Sequence, residues 1–165
     1  LGFALIGTSF RFILMESKET LYKRFNQQLE ALLQGEEDMI ANLANFSALY
    51  YEIFSPHWVG FYLVKKNELV LGPFQGPVAC TRIAFGKGVC GVAWKENMPQ
   101  IVDNVHEFEG HIACSAQSNS EIVLPLYKNQ DVLGVFDIDS TKFAHFDGVD
   151  NAYLEKALTL LAESF

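Results

Sequence analysis

Two pairs of β-like runs, each closed by a short polar turn, lie between helical segments in this chain of 165 residues. Trp58 to Val64 and Glu68 to Phe74 are joined at Lys65-Lys66-Asn67. Ser120 to Lys128 and Val132 to Asp139 are joined around Asn129-Gln130. Runs this close can pair only as hairpins, because a parallel connection needs a crossover of about a dozen residues or more. Leu21, Phe25, Leu29, Leu32 and Leu33 recur at helical spacing, predicting an amphipathic helix over Lys18 to Gln34 that Gly35 ends. Glu36, Glu37 and Asp38 then suit the positive end of a second helix. Its apolar stripe is Ile40, Leu43, Phe46 or Ser47, Tyr50 and Phe54, and Pro56 stops it. A short helix is expected from about Gly88 to Asn97, a short strand at Gln100 to Asp103, and a last helix capped by Asp150 that carries Leu154, Leu158 and Leu161. The order predicts an α+β fold, a central antiparallel sheet with helices packed mainly on one face.

Twelve basic against twenty acidic side chains give a formal charge of −8. That balance opposes counterion-release binding to nucleic acid and attraction to anionic membranes, so neither partner is expected. Leu1 to Leu14 are mainly apolar and carry one charge, Arg11, too short a run for a spanning helix of about 20 residues. They show no clear basic region or cleavage site for export. Met15 opens a polar segment suited to a native start. Residues 1–14 are therefore expected to be a non-native extension, and residues 15–165 a single cytoplasmic domain.

The three cysteines, Cys80, Cys90 and Cys114, form an odd set with no C-x-x-C pair. A secreted disulfide scaffold prefers even numbers, and structural zinc wants four ligands at short paired spacings. No metal site is expected. In a reducing compartment the choices are buried inert thiols or a catalytic relay. Cys114 favours the second. It ends the run Gly110-His111-Ile112-Ala113-Cys114 within a long polar loop, Asn104 to Asn119, among His111, Ser115, Gln117, Ser118 and Ser120. Such surroundings present a thiol to a pocket, where access and polarity govern its reactivity. His111, three residues before Cys114, either lowers that thiol's pKa or orients the loop.

The strand Leu133-Gly134-Val135-Phe136-Asp137-Ile138-Asp139 alternates so that Val135, Asp137 and Asp139 share one face. Glu121, near the start of the neighbouring strand, can lie beside them. Three carboxylates on an apolar surface are either solvated at strand ends or gathered into a cation pocket. Crowding in such a pocket keeps one of them protonated near neutral pH. Trp58 and Tyr62 share a face of the first strand with Gly60 between them, forming either ordinary core or an apolar pocket wall. His57, His106 and His145 lack metal-ligand spacing. Gly86-Lys87-Gly88 lacks the pattern of a phosphate-binding loop, and a close turn into a helix suffices for it.

From about Phe46 to Glu155 the chain resembles the free methionine-(R)-sulfoxide reductases, small enzymes built on the GAF fold. The likeness is carried by Trp58-Val59-Gly60-Phe61-Tyr62, Gly72-Pro73-Phe74-Gln75-Gly76 and Cys80-Thr81-Arg82-Ile83. It continues through Gly86-Lys87-Gly88-Val89-Cys90-Gly91, Ile101-Val102-Asp103-Asn104-Val105, the Cys114 run and Leu133 to Ser140. The resemblance implies that residues 15–165 are one GAF-like catalytic domain. It implies that Cys114 attacks the sulfoxide sulfur and becomes a sulfenic acid, that Cys80 resolves it as a disulfide, and that thioredoxin reduces the disulfide. Cys90 matches the family's other cysteine, an alternative resolving or relay thiol. Trp58 and Tyr62 would hold the apolar end of the substrate. Glu121, Asp137 and Asp139 would bind its ammonium and protonate the sulfoxide oxygen, and backbone N–H groups near Ile112 and Ala113 would take its carboxylate. No cofactor is implied, and the partners are free methionine-(R)-sulfoxide and thioredoxin, with a homodimer as an open state of assembly. Ser115 stands where the family pattern expects Asp. A non-catalytic GAF sensor explains the pocket but leaves three matched cysteines without a task, and an inert structural module explains less.

Overall fold

A computed structural model describes residues 16–110 and 116–165 of the chain. The expected non-native extension, residues 1–14, lies outside the described residues, as do His111, Ile112, Ala113, Cys114 and Ser115.

Helix α1 (Lys18–Leu33) begins where the Ser17 side chain accepts the Thr20 N–H. Its buried stripe is Tyr22, Phe25, Leu29 and Leu33. This corrects the expected stripe by part of a turn, since Leu32 is exposed and Tyr22 takes the inward place assigned to Leu21. The tyrosine turns inward because its hydroxyl finds partners there. Helix α2 (Met39–Phe54) starts at Asp38, whose carboxylate accepts the Ala41 N–H, and ends at Ser55 in the left-handed region, just before Pro56. Leu43, Phe46, Ser47 and Tyr50 are buried as expected, but Ile40 is 49% exposed. Asn42 faces inward instead, donating to the Glu36 carbonyl and the Ser164 hydroxyl.

The two hairpins form as read. They are β1 (Trp58–Lys65) with β2 (Glu68–Gln75), and β5 (Ser120–Lys128) with β6 (Asp131–Ser140). Asn129 and Gln130 both have positive φ, as the tight turn between β5 and β6 requires. Two short strands complete the sheet, β3 (Arg82–Ala84) against β2 and β4 (Gln100–Val102) against β5. The order is β3-β2-β1-β6-β5-β4 with every neighbour antiparallel. Strand β3 lies in a stretch for which the sequence predicts no strand. Three residues are too few for an alternation to register.

Alternation along β1, β5 and β6 makes two cores. Val59, Phe61, Ile122, Leu124, Phe136 and Ile138 face α1, α2 and the last helix, α4 (Gly148–Glu163), in an aromatic-rich layer. Trp58, Tyr62, Val123 and Val135 face the other way, toward α3 (Gly88–Glu96). Among the described residues, three helices thus cover one face, and one short helix covers part of the other. Among the described residues of the expected loop from Asn104, Val105–Glu107 form a 3-10 turn. The loop's far end is fixed by Asn119, whose carbonyl accepts the Val105 N–H and whose N–H donates to Ser140. No helix among the described residues is long and apolar enough to cross a membrane.

The cap of α4 is Asp147 and not Asp150 as expected. Asp147 accepts the Val149 N–H, while Asp150, three residues on, turns back to accept the Asp147 N–H at 2.8 Å. Asp150 is buried and also receives the Tyr22 hydroxyl at 2.8 Å and the Lys18 ammonium at 2.5 Å. It ties α1 to α4 beneath Tyr50, whose hydroxyl lies 3.2 Å from that of Tyr22. Replacing Asp150 by Ala strands these donors and should cost about 3 kcal/mol of unfolding free energy. Urea denaturation measures it, and a loss below about 1 kcal/mol would show that the network behaves as a surface ion pair.

Candidate active site

The cleft lies on the sheet face that α3 only partly covers. Its polar side is set by register. Asp139 on β6 stands opposite Trp58 on β1 and opposite Glu121 on β5, and Asp137 stands opposite Gly60 and Val123. Trp58, Tyr62, Glu121, Asp137 and Asp139 all line the cleft, so the structure brings together the described carboxylates and aromatics that the sequence singled out. Cys90, from the first turns of α3, joins them. Its Sγ donates to Asp137 Oδ2 at 3.3 Å and lies 3.9 Å from Glu121 Oε1.

Gly60 does not leave open space above the backbone. A Cβ there would lie 2.3 Å from the Phe74 Cβ and 2.8 Å from the Trp58 ring edge. The missing side chain lets the indole fold down over the strand, stacked on Phe74 at 5.4 Å and on Tyr62 at 5.8 Å between ring centroids. Both site aromatics then hydrogen-bond to the rim. Trp58 Nε1 donates to the Pro77 carbonyl at 3.1 Å, and the Tyr62 hydroxyl to the Cys80 carbonyl at 3.0 Å. Cys80 is disulfide-bonded, and Cys90 is a free, buried thiol.

The electrostatics follow from burial among like charges. Glu121 and Asp137 are held well above the usual carboxylate range, first by desolvation and then by their acidic neighbours. Asp139 is pushed up to about 6 by burial, with a hydrogen bond from Ser118 opposing the shift. Burial, then Asp137 and Glu121, also raise the Cys90 thiol, so it keeps its proton and is a weak nucleophile. No Lys, Arg or His is among the described residues lining the cleft. Asp137 Oδ1 is buried without a hydrogen-bond partner among the described residues. This is a site that wants a cation.

Other lining residues were not singled out as site residues from the sequence. Ile83, Gly88 and Val89 entered there as members of the runs that carry the family resemblance, and Pro77, Val78 and Ala79 were given no role. Ser118 carried a signal, as one of the polar residues around Cys114. Among the histidines, His106 lies 3.0 Å from the Asn119 side chain, away from the cleft lining. Lys87 is the N-cap of α3 without a side-chain capping bond, between Gly86 and Gly88, both at positive φ. Of the donors gathered in the cleft, Cys90, Glu121 and Asp137 have the closest ligand-type geometry, a set that sequence spacing did not reveal.

The raised pKa values fix how stability varies with pH. Folded Asp139 keeps its proton to about pH 6, whereas an unfolded aspartate loses it near 3.8. Between those values the folded state binds more protons, so stability falls as pH rises through that window. Asp139→Asn should therefore be more stable than the parent at pH 7, by about 1–3 kcal/mol, and nearly equal to it at pH 4. Denaturant midpoints at both pH values check this. A variant no more stable at pH 7 would contradict the desolvation described above.

The profile of the GAF domain family matches residues 52–164. The chain is 49% identical over 146 residues to a free methionine-R-sulfoxide reductase of Escherichia coli, with 88% of each protein covered. It is 56% identical over 146 residues to GAF domain-containing protein A of Dictyostelium discoideum, covering 88% of this chain and 92% of that one. The X-ray structure of a free methionine-R-sulfoxide reductase from Neisseria meningitidis in complex with its substrate superposes with a TM-score of 0.89 at 46% identity, covering 92% of both chains. By profile, sequence and fold, the chain belongs to the GAF-domain proteins and, among them, to the free methionine-R-sulfoxide reductases, a family of oxidoreductases.

Proposed function

We propose that this protein reduces free L-methionine-(R)-sulfoxide to methionine in the cytoplasm, with thioredoxin as the reductant. The observation that carries the reading is the cluster of acidic side chains Glu121, Asp137 and Asp139 facing Trp58 and Tyr62, with no basic side chain among the described lining residues. A free amino acid brings the missing cation as its ammonium, and its methyl-sulfur end suits the aromatic wall. A peptide-bound methionine sulfoxide has no such ammonium.

In this reading Cys114 attacks the sulfoxide sulfur. Sulfoxide oxygen leaves only once protonated, so an acid of the cluster delivers a proton to it. Asp139, with a pKa of about 6, suits that task best, because it can give up a proton and regain it near neutral pH. Asp137 and Glu121 then serve the ammonium. Methionine departs and the oxygen stays on Cys114 as a sulfenic acid. The Cys80 thiol attacks that sulfur, forming a disulfide and releasing water. A thioredoxin dithiol reduces the disulfide and is itself oxidised. The disulfide-bonded state of Cys80 is consistent with this last resting form. Cys90 matches a relay or reserve thiol of the family, but its retained proton makes Cys80 the better resolving partner. Backbone N–H groups near Ile112 and Ala113 complete the reading as the carboxylate site.

A thioredoxin-coupled assay with the free (R) sulfoxide, its (S) epimer and N-acetyl-methionine sulfoxide tests substrate choice. Only the first should turn over well; equal rates on the blocked and free compounds would refute recognition of the ammonium. Cys114→Ser should form no methionine. Cys80→Ser should release about one equivalent and then stall, seen as a burst in rapid-quench experiments. Asp139→Asn removes an acid and a charge-assisted contact worth roughly 1.5–3 kcal/mol. Its kcat/KM should fall at least about tenfold, and an unchanged value would remove Asp139 from the chemistry.

A further inference from the structure

The floor of the cleft holds a donor set of a different kind. Cys90 Sγ and one carboxylate oxygen each of Glu121 and Asp137 lie within 4.8 Å of one another, and all three residues are buried. They arrive from α3, β5 and β6 and share no sequence spacing. The Cys90 sulfur is 3.3 Å from Asp137 Oδ2 and 3.9 Å from Glu121 Oε1. Ligands bound to a tetrahedral zinc ion at 2.0–2.3 Å are about 3.3–3.7 Å apart, so the two sulfur–oxygen distances already fall at or just beyond that spacing. Independently of contacts inside the cluster, Asp137 Oδ1 is buried with no hydrogen-bond partner among the described residues, on a side chain that lines the cleft.

We infer that Cys90, Glu121 and Asp137 form a binding site for a thiophilic divalent cation of the zinc class. One sulfur and two carboxylate donors suit a borderline-soft ion, and they exclude magnesium and calcium, which want six or more oxygen ligands. Three protein ligands leave a coordination position open toward the cleft. On binding, the Cys90 thiol gives its proton to solvent and a sulfur–metal bond forms, with no change of oxidation state. The ion occupies the place of the substrate ammonium and so inhibits competitively; this last point rests on the reductase reading above.

Cadmium is the probe, because its thiolate charge-transfer absorption reports the bond to sulfur itself. In the variant Cys80→Ser/Cys114→Ser, Cys90 is the sole thiol, and titration with Cd²⁺ should give the band with one equivalent bound. The oxidised parent protein, in which Cys80 is already disulfide-bonded, offers the same thiol without substitution and should behave alike. Adding Cys90→Ala should abolish the band, and Asp137→Asn should weaken binding at least tenfold. No band in either protein, or a band that survives Cys90→Ala, overturns the site. Saturating free methionine-(R)-sulfoxide should weaken Cd²⁺ binding at least tenfold. If binding is unaltered by the amino acid while the band depends on Cys90, the metal site stands and the placement of the ammonium falls.

Discussion

Trp58, Asp139 and Glu121 stand in one row across three strands, because β6 pairs with β1 on one side and β5 on the other. Everything in the cleft depends on that antiparallel register. A slip of one residue would turn Asp137 and Asp139 into the aromatic layer under α1, α2 and α4, and bring Phe136 and Ile138 to the cleft. The slip is prevented by the same residues it would displace. Phe136 packs against Phe46, Phe61 and Tyr50 with centroids 4.8–5.8 Å apart, and that layer has no room for a carboxylate.

The molecule divides its labour between its two sheet faces. The helix-covered face carries most of the large fully buried side chains and an anchoring network around Asp150. The cleft face does the reverse. It collects acids and a thiol that would each be more favourably placed in water, and burial there opposes folding as pH rises. Sites built for binding or chemistry commonly hold groups in environments that cost stability, with the rest of the fold offsetting them. Here the division follows from strand alternation alone, since consecutive residues of β6 serve opposite purposes.

Much of this was legible in the chain. The hairpins announced themselves through closely spaced apolar runs, and the shared face of Asp137 and Asp139 followed from a period of two. Glu121 could be placed beside them because a hairpin fixes which residues face each other. Features that depend on distant contacts were hidden. Leu21 and Tyr22 fit the helical stripe almost equally until Asp150, far along the chain, gives the tyrosine hydroxyl a partner. Asp150 read as the cap of the last helix, and only its distant partners Lys18 and Tyr22 show that it is buried inside the first turn, with Asp147 in the cap place. Cys90 looked like one of three similar thiols, because nothing local shows that α3 packs its first turns against β5 and β6. The family resemblance reached Cys90 as a matched position without indicating its surroundings.

The two hydrogen bonds from Trp58 and Tyr62 to the backbone at Pro77 and Cys80 have a mechanical result. The aromatic wall and the segment bearing Cys80 are joined at two points on either side of Val78, which is itself 90% exposed. Val78 and Ala79 therefore form a short bridge hung between two rings that are otherwise embedded in the sheet. A displacement of that bridge large enough to shift either end must rotate a ring or break one of the two bonds. The aromatic wall and the backbone of Cys80 are thus mechanically linked. A pulling force applied at the rim by any docked molecule would be felt first at the tryptophan and the tyrosine.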